Sequence, residues 1–528
     1  MAPRAPHADE RNTPRQAVVL IHGIGEQRPM ATLRSFVTGL GYTDFYNKPD
    51  RFSDGFELRR LTVGTQASRV PVDFIEFYWA HHLDQGQLRQ TLLWAAKLVA
   101  RRPFWRLDAG LRGAIGVAQV ASTLLLALVC WSAVTAFLAG ELSEAFDAWR
   151  STLGVLALAL NVIAGGFITN SLADAPRYLT PSPSSVAGRN AIRADGLALL
   201  RSLHESGEYQ RIVVVGHSLG SVIGFDLIRL LWDEMRHPDP LRPSPLIEES
   251  TIEAAAAAAR QATTVQQKDA WQGKQYRLWR ECRARGMPWL ISDFITLGSP
   301  LAHGSFLLEP NEWWRSRPGP TLRERQHEAE VPTCPPDERQ GDIFYNGRYR
   351  DPAYGKRSAR VAGHAAPFVV TRWTNLYFPV ERFHGDPVGG PVAPEFGAGV
   401  RDVAVRTHPM KSRTWSGLYL GAHVRYWRPD ASAGSSDAEK RHRREVDKET
   451  GTYFAGGRLG DALGLRIEKA GLKYPPADPV AAGWSSEEPV TPRAQVVSPV
   501  TAESNSVTPE PSPESMGTPT TAARQVPP

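Results

Sequence analysis

The segment Arg211-Ile-Val-Val-Val-Gly-His-Ser-Leu-Gly-Ser221 leaves the backbone few choices. Ile212 to Val215 form a short apolar, β-branched run, which reads as a buried strand. Behind it Val222, Ile223, Leu227, Ile228 and Leu231 recur at helical spacing, predicting a helix from Ser221 to about Met235. Only Gly216-His217-Ser218-Leu219-Gly220 separates the two, so the chain must turn in a space too tight for large neighbours. A strand, a G-x-S-x-G turn and a helix together form a setting that lifts a serine hydroxyl above a sheet edge. The helix then points its first N–H groups and positive dipole end at that hydroxyl. Ser218 is the candidate nucleophile.

With 42% hydrophobic and 22% charged residues among 528, the chain has the composition of a folded protein. Cys130, Cys282 and Cys334 are far apart, offering no metal-ligand spacing and no disulfide framework, which suits a reducing compartment. A net charge of +6 is small for this length, and no basic face interleaved with aromatics points to nucleic acid. The first residues hold no apolar core, so no cleavable secretory signal is expected.

Two stretches lack charge altogether: Gly113 to Gly140 and Ser151 to Ala173. Each exceeds the roughly 20 apolar residues that a helix needs to cross a hydrocarbon core about 30 Å thick. Lys97, Arg101, Arg102, Arg106 and Arg112 precede them, and Arg177, Arg189 and Arg193 follow. The connector between them holds Glu141, Glu144 and Asp147 against Arg150 alone. The positive-inside rule then predicts an inserted transmembrane hairpin over 113–173, anchored in the cell (inner) membrane. The flanks and both termini would be cytoplasmic, with the arginines against an anionic leaflet.

Elsewhere strands and helices alternate. Ala17 to Ile21, Phe56 to Val63, Val70 to Trp79, Trp289 to Leu297, Phe368 to Phe378 and Val400 to Arg406 read as strands. Met30 to Leu40, Gln87 to Arg101 and Val186 to Ser206 read as helices, and Thr251 to Arg285 as a helical insertion within 247–286. This alternation predicts an α/β fold, a mostly parallel sheet with helices on both faces. It spans 15–430 after a flexible N-terminus at 1–14, with a lid-like loop over 306–367. Residues 431–477 form an extension, and 478–528, rich in Pro, Ser and Thr, a disordered tail.

A serine hydroxyl needs a base, an acid to orient that base, and donors for the developing oxyanion. With this elbow the acid and then the histidine are expected to follow the serine. Asp386 lies just past the strand ending near Phe378, in the tight Gly385-Asp-Pro387 turn, and is the candidate acid, with Glu381 its nearest rival. Asp293 and Asp402 begin strands rather than follow them. His423 comes after the last strand and before a short aromatic segment expected to be helical, and is the candidate base, with His408 the runner-up. His384 and His303 would break the order. For the oxyanion the N–H of Leu219 is paired with that of Ile24 in the loop His22-Gly-Ile-Gly25, where His22 reads as a structural hydrogen-bonder beside Gly23.

Taken in order, VVLIHGIGEQ, VVVGHSLGS, ITLGSPLAHG, NLYFPVERFHGDPVGGP and AHVRYW resemble an α/β-hydrolase with serine esterase or lipase features. They are similar to segments of bacterial lipase-like and intracellular phospholipase-like members. The resemblance implies Ser218 as nucleophile, Asp386 as acid and His423 as base, supported by His22, Gly23, Gly216, His217 and Gly220. A membrane tether would place the site near acyl lipids, so a lipid or other hydrophobic ester is the expected substrate, and this chemistry requires no metal or organic cofactor. The gap between His22 and Ser218 is longer than in many such proteins, and the apolar hairpin accounts for part of it.

Overall fold

In a computed structural model, the described residues are 15–23, 28–52, 59–64, 71–82, parts of 104–134, 178–179, 183–236, 249–284, 286–307, 320–351, 355–381, 384–408, 411, 419–427, 437–451 and 453–464. They form an α/β protein around a nine-stranded sheet.

The strands, in chain order, are β1 (Arg15–Ile21), β2 (Tyr46–Pro49), β3 (Arg59–Val63), β4 (Val72–Phe77), β5 (Tyr209–His217), β6 (Ile291–Leu297), β9 (Arg372–Tyr377), β10 (Arg401–Arg406) and β11 (Tyr453–Phe454). Their spatial order is β11-β10-β9-β6-β5-β1-β4-β3-β2. From β4 to β11 all neighbours are parallel, and β3 and β2 add an antiparallel edge. A separate hairpin pairs β7 (Phe344–Asp351) with β8 (Gly355–Ala362).

The continuous apolar runs explain the central strands, because a parallel sheet buries both faces. In β1, Ala17, Val19 and Ile21 join a core on one face, while Val18 and Leu20 join a second core on the other. The first core is covered by α2 (Pro183–Glu205), α3 (Leu219–Met235), α4 (Glu249–Arg260) and α5 (Val265–Ala284), through residues such as Leu203, Ile223, Ile252 and Trp271. The second lies under α1 (Ala31–Gly39) and, beyond the charged α6 (Asp437–Thr450), α7 (Ala455–Leu463), with Phe36, Tyr426 and Leu459 contributing. Helices on both faces are therefore observed as expected.

The expected helical insertion is two helices, broken at Gln261–Thr264, where Gln267 Oε1 accepts from the N–H groups of Thr263 and Thr264. The segment expected as a lid-like loop contains a capped helical turn, Leu322–His327, and the β7–β8 hairpin. The C-terminal extension returns to the sheet as β11 and α7. The strand expected from Phe368 starts at Arg372, after a 3₁₀ turn at Pro367–Val369.

The helix expected over 87–101, the tail over 478–528 and most of the hairpin over 113–173 lie outside the described residues. Among the described residues no helix is long and apolar enough to cross a membrane, so the inserted hairpin finds no support there.

Candidate active site

Ser218 follows the last residue of β5 and precedes the first of α3. Its backbone has φ 51° and ψ −127°, a conformation non-glycine residues rarely adopt, with a cost of order 1–3 kcal/mol. Dense contacts on both sides impose it. A Cβ on Gly220 would lie 2.2 Å from the Ile21 carbonyl oxygen, and one on Gly216 would lie 2.5 Å from Ser221 Cα. The turn is further fixed by Ser218 N–H donating to Leu297 O at 2.9 Å and by Ser221 Oγ donating to Ser218 O at 2.6 Å. Ser221 Oγ also meets Ser299 Oγ at 2.6 Å, tying in the Leu-Gly-Ser-Pro segment after β6.

The other candidates arrive at the same carboxyl edge of the sheet. Asp386 lies beyond β9, in a turn closed by Asp386 N–H donating to Phe378 O at 3.2 Å. His423 lies beyond β10, after the helical turn Tyr419–Ala422. The aromatic segment expected to be helical after His423 is a turn, and the helical turn precedes it. His423 Nδ1 donates to Asp386 Oδ2 at 2.8 Å, across 37 residues of sequence. Tyr426 Oη donates to the same oxygen at 2.8 Å, and Val388 N–H to Oδ1 at 3.0 Å. Burial alone would raise the Asp386 carboxyl, but the neighbouring His423 and these donors hold it down at about 2. The Tyr426 phenol is pushed well above its ordinary value by burial and by the Asp386 charge.

His217 joins the elbow to the base. Its Nε2 donates to the His423 backbone carbonyl at 2.8 Å, and the two rings lie 4.9 Å apart. Burial, reinforced by His423, lowers His217 to about 3, so its ring stays neutral and acts as a fixed donor. Among the described residues no hydrogen bond joins Ser218 Oγ to the His423 ring. Such contacts are often loose without substrate and tighten when it binds.

On the other side, a Cβ on Gly23 would come within 2.9 Å of Ser218 Cβ, so the loop after β1 lies against the serine. His22 Nδ1 donates to Gly23 O at 2.8 Å, and the ring stacks on Trp79 at 5.0 Å. Trp79 Nε1 donates back to His22 O at 3.0 Å. Burial lowers His22 to about 4, which keeps it neutral. The Leu219 N–H, first in α3, has no intrahelical acceptor available and borders Ser218. Ile24 lies outside the described residues.

The rivals stand elsewhere. Glu381 and His384 exchange backbone hydrogen bonds within one tight turn. Asp293 lies at the amino end of β6, accepting from Arg211 at 2.6 Å and Arg372 at 3.0 Å. Asp402 accepts from Asn375 and from the N–H groups of Val392 and Ala393. His303 Nε2 meets Pro387 O at 3.3 Å. His408 lies two residues past β10, its carbonyl accepting from Arg406 Nε, and Asp386 faces His423 instead.

Sequence reasoning missed Tyr426 and the linking role of His217. Both stand inside quoted motifs, yet only the folded geometry shows what their polar atoms reach. Comparison with family models, curated proteins and solved structures returns no match. The chemistry must therefore be argued from these atoms: a strained serine at a helix N-terminus, an imidazole tied to the elbow through His217, and an ionised buried carboxylate on that imidazole.

Proposed function

We propose that the chain is an α/β-hydrolase-type serine hydrolase that cleaves carboxyl esters, with Ser218 as nucleophile. In this reading His423 takes the Ser218 proton as Oγ attacks the ester carbonyl, and Asp386 orients and stabilises the resulting imidazolium. The carbonyl oxygen becomes an oxyanion held by the Leu219 N–H, with the Ile24 N–H as second donor. His423 then protonates the leaving alkoxide, the alcohol departs, and water, activated by the same histidine, hydrolyses the acyl-enzyme.

One observation carries the reading. A serine with φ 51° sits between a strand and a helix, and the preceding His217 holds a histidine whose Nδ1 is bonded to a buried carboxylate at 2.8 Å. A purely structural turn does not require that strain together with that relay. A thioester or amide would use the same atoms, since fold and triad do not fix the substrate. The uncharged runs within 113–173 favour a lipid or other hydrophobic ester and attachment to the inner membrane, with the site on its cytoplasmic side.

A fluorophosphonate probe tests the nucleophile on the full chain, in separated membrane and soluble fractions. The parent is expected to label covalently and Ser218→Ala not to label. Equal labelling of both, or none of the parent, defeats the reading and leaves a catalytically silent scaffold. Release from membranes by carbonate, rather than detergent alone, defeats the membrane attachment.

A further inference from the structure

Apart from the proposed triad, one cluster among the described residues has the donor set of a cation site. His81 and His82 close the 3₁₀ turn Ala80–His82 that follows β4, and Asp195 lies within α2. One ligand atom from each lies within 4.8 Å of the other two. His82 Nε2 and Asp195 Oδ2 are 2.6 Å apart, and the two imidazole centroids 3.9 Å.

Two imidazoles and a carboxylate suit zinc, with metal–ligand distances of about 2.0–2.2 Å, and leave a fourth tetrahedral position for water. Neighbouring ligand atoms would then stand about 3.4 Å apart. His81 and Asp195 are exposed, so side-chain rotation brings the three atoms to that spacing without moving the sheet. The His81 ring also bonds to the backbone carbonyl of Tyr78 and stacks on its ring at 5.8 Å. A ligating histidine commonly donates its other ring N–H to such an acceptor, which fixes the tautomer that leaves a lone pair for the metal.

The position in the chain indicates a role. His81 and His82 follow β4, the last strand before the apolar runs, and among the described residues α2 is the first long helix after them. We propose that His81, His82 and Asp195 bind one zinc-class divalent cation and so tie the turn after β4 to α2, the elements that stand before and after residues 83–182 in the chain. The tie stands independently of the ester chemistry at Ser218.

Isothermal titration of the full chain, without a polyhistidine tag and after chelation, tests it with zinc chloride. One zinc per chain with a micromolar or tighter Kd is expected, weakened at least about tenfold in both His82→Ala and Asp195→Asn. His442→Ala, on exposed α6, should bind as the parent does. Thermal melting in chelator should leave both ligand variants close to the parent, so that lost binding reports lost ligands. No zinc uptake by the parent, or unchanged affinity in both ligand variants, overturns the proposal and leaves a hydrogen-bonded His82–Asp195 pair.

Discussion

Two of the buried carboxylates in this protein, each almost wholly shielded from solvent, have opposite fates. Asp386, beyond β9, receives His423, Tyr426 and the Val388 N–H, and is held ionised down to about 2. Glu76, in β4, accepts a backbone hydrogen bond from Met30 N–H at 2.6 Å, and among the described residues its second oxygen meets no donor. Burial therefore pushes Glu76 up to about 7. Desolvation acts on both, and the neighbouring His423 together with the extra donors decides which carboxylate keeps its charge. One is a permanent anion that can steady an imidazolium, and the other gains or loses a proton near neutrality.

The largest effect should come from removing the charge of the first. Asp386→Asn keeps the shape but withdraws the acceptor that fixes the His423 tautomer. A loss of about 10³–10⁴ in kcat/KM is expected on a chromogenic ester. A loss below about tenfold would show that Asp386 is an ordinary buried anion.

Glu76 should show itself in stability. Its folded value, about 7, lies above its ordinary 4.5. Between these pH values the folded chain holds a proton that the unfolded chain has released, so this group's contribution falls as pH rises from 4.5 to 7 and stays low above it. Glu76→Gln is expected to remove that slope, raising stability at pH 8 relative to pH 4 by up to about 3 kcal/mol against the parent. Parallel parent and variant curves in urea titrations across pH would break the contrast.

The smallest change tests the donor count directly. Tyr426→Phe removes one of three donors to Asp386 and should cost about 1–2 kcal/mol. Asp386 has a depressed value, so its contribution is present above the unfolded value and is lost as pH falls through the folded one. With one donor gone the folded value rises, so the acid loss, which starts near the unfolded value in both proteins, should be smaller and complete at higher pH in the variant. An unchanged acid midpoint would mean that His423 alone holds the charge.

Much of this frame is legible in the sequence because the parallel strands are written as apolar runs, from Ala17-Val-Val-Leu-Ile21 to Ile212-Val-Val-Val215. Ser218, Asp386 and His423 are legible for another reason: each lies beyond the carboxyl end of a strand, β5, β9 and β10, with Ser218 alone following its strand directly. The β7–β8 hairpin is not, since Tyr349, Arg350, Lys356 and Arg357 give it neither an apolar run nor a clear alternation. Nor is β11, where two residues carry no periodicity and pairing with β10 alone defines the strand. Glu76 was hidden in VPVDFIEFYW, since nothing local tells whether a carboxylate in an apolar strand will find donors. The break between α4 and α5 has no Gly or Pro and depends on Gln267 capping threonine N–H groups.

The serine itself could be replaced by another small residue without disturbing its neighbours, but positions 216 and 220 have no such freedom, since any side chain there meets backbone within 2.5 Å. A descendant of this chain could lose Ser218 in a single step, abandoning the proposed hydrolysis, and still have to keep both glycines to fold. The pair would outlast the chemistry, a fossil of the elbow in lineages where the hydroxyl has gone.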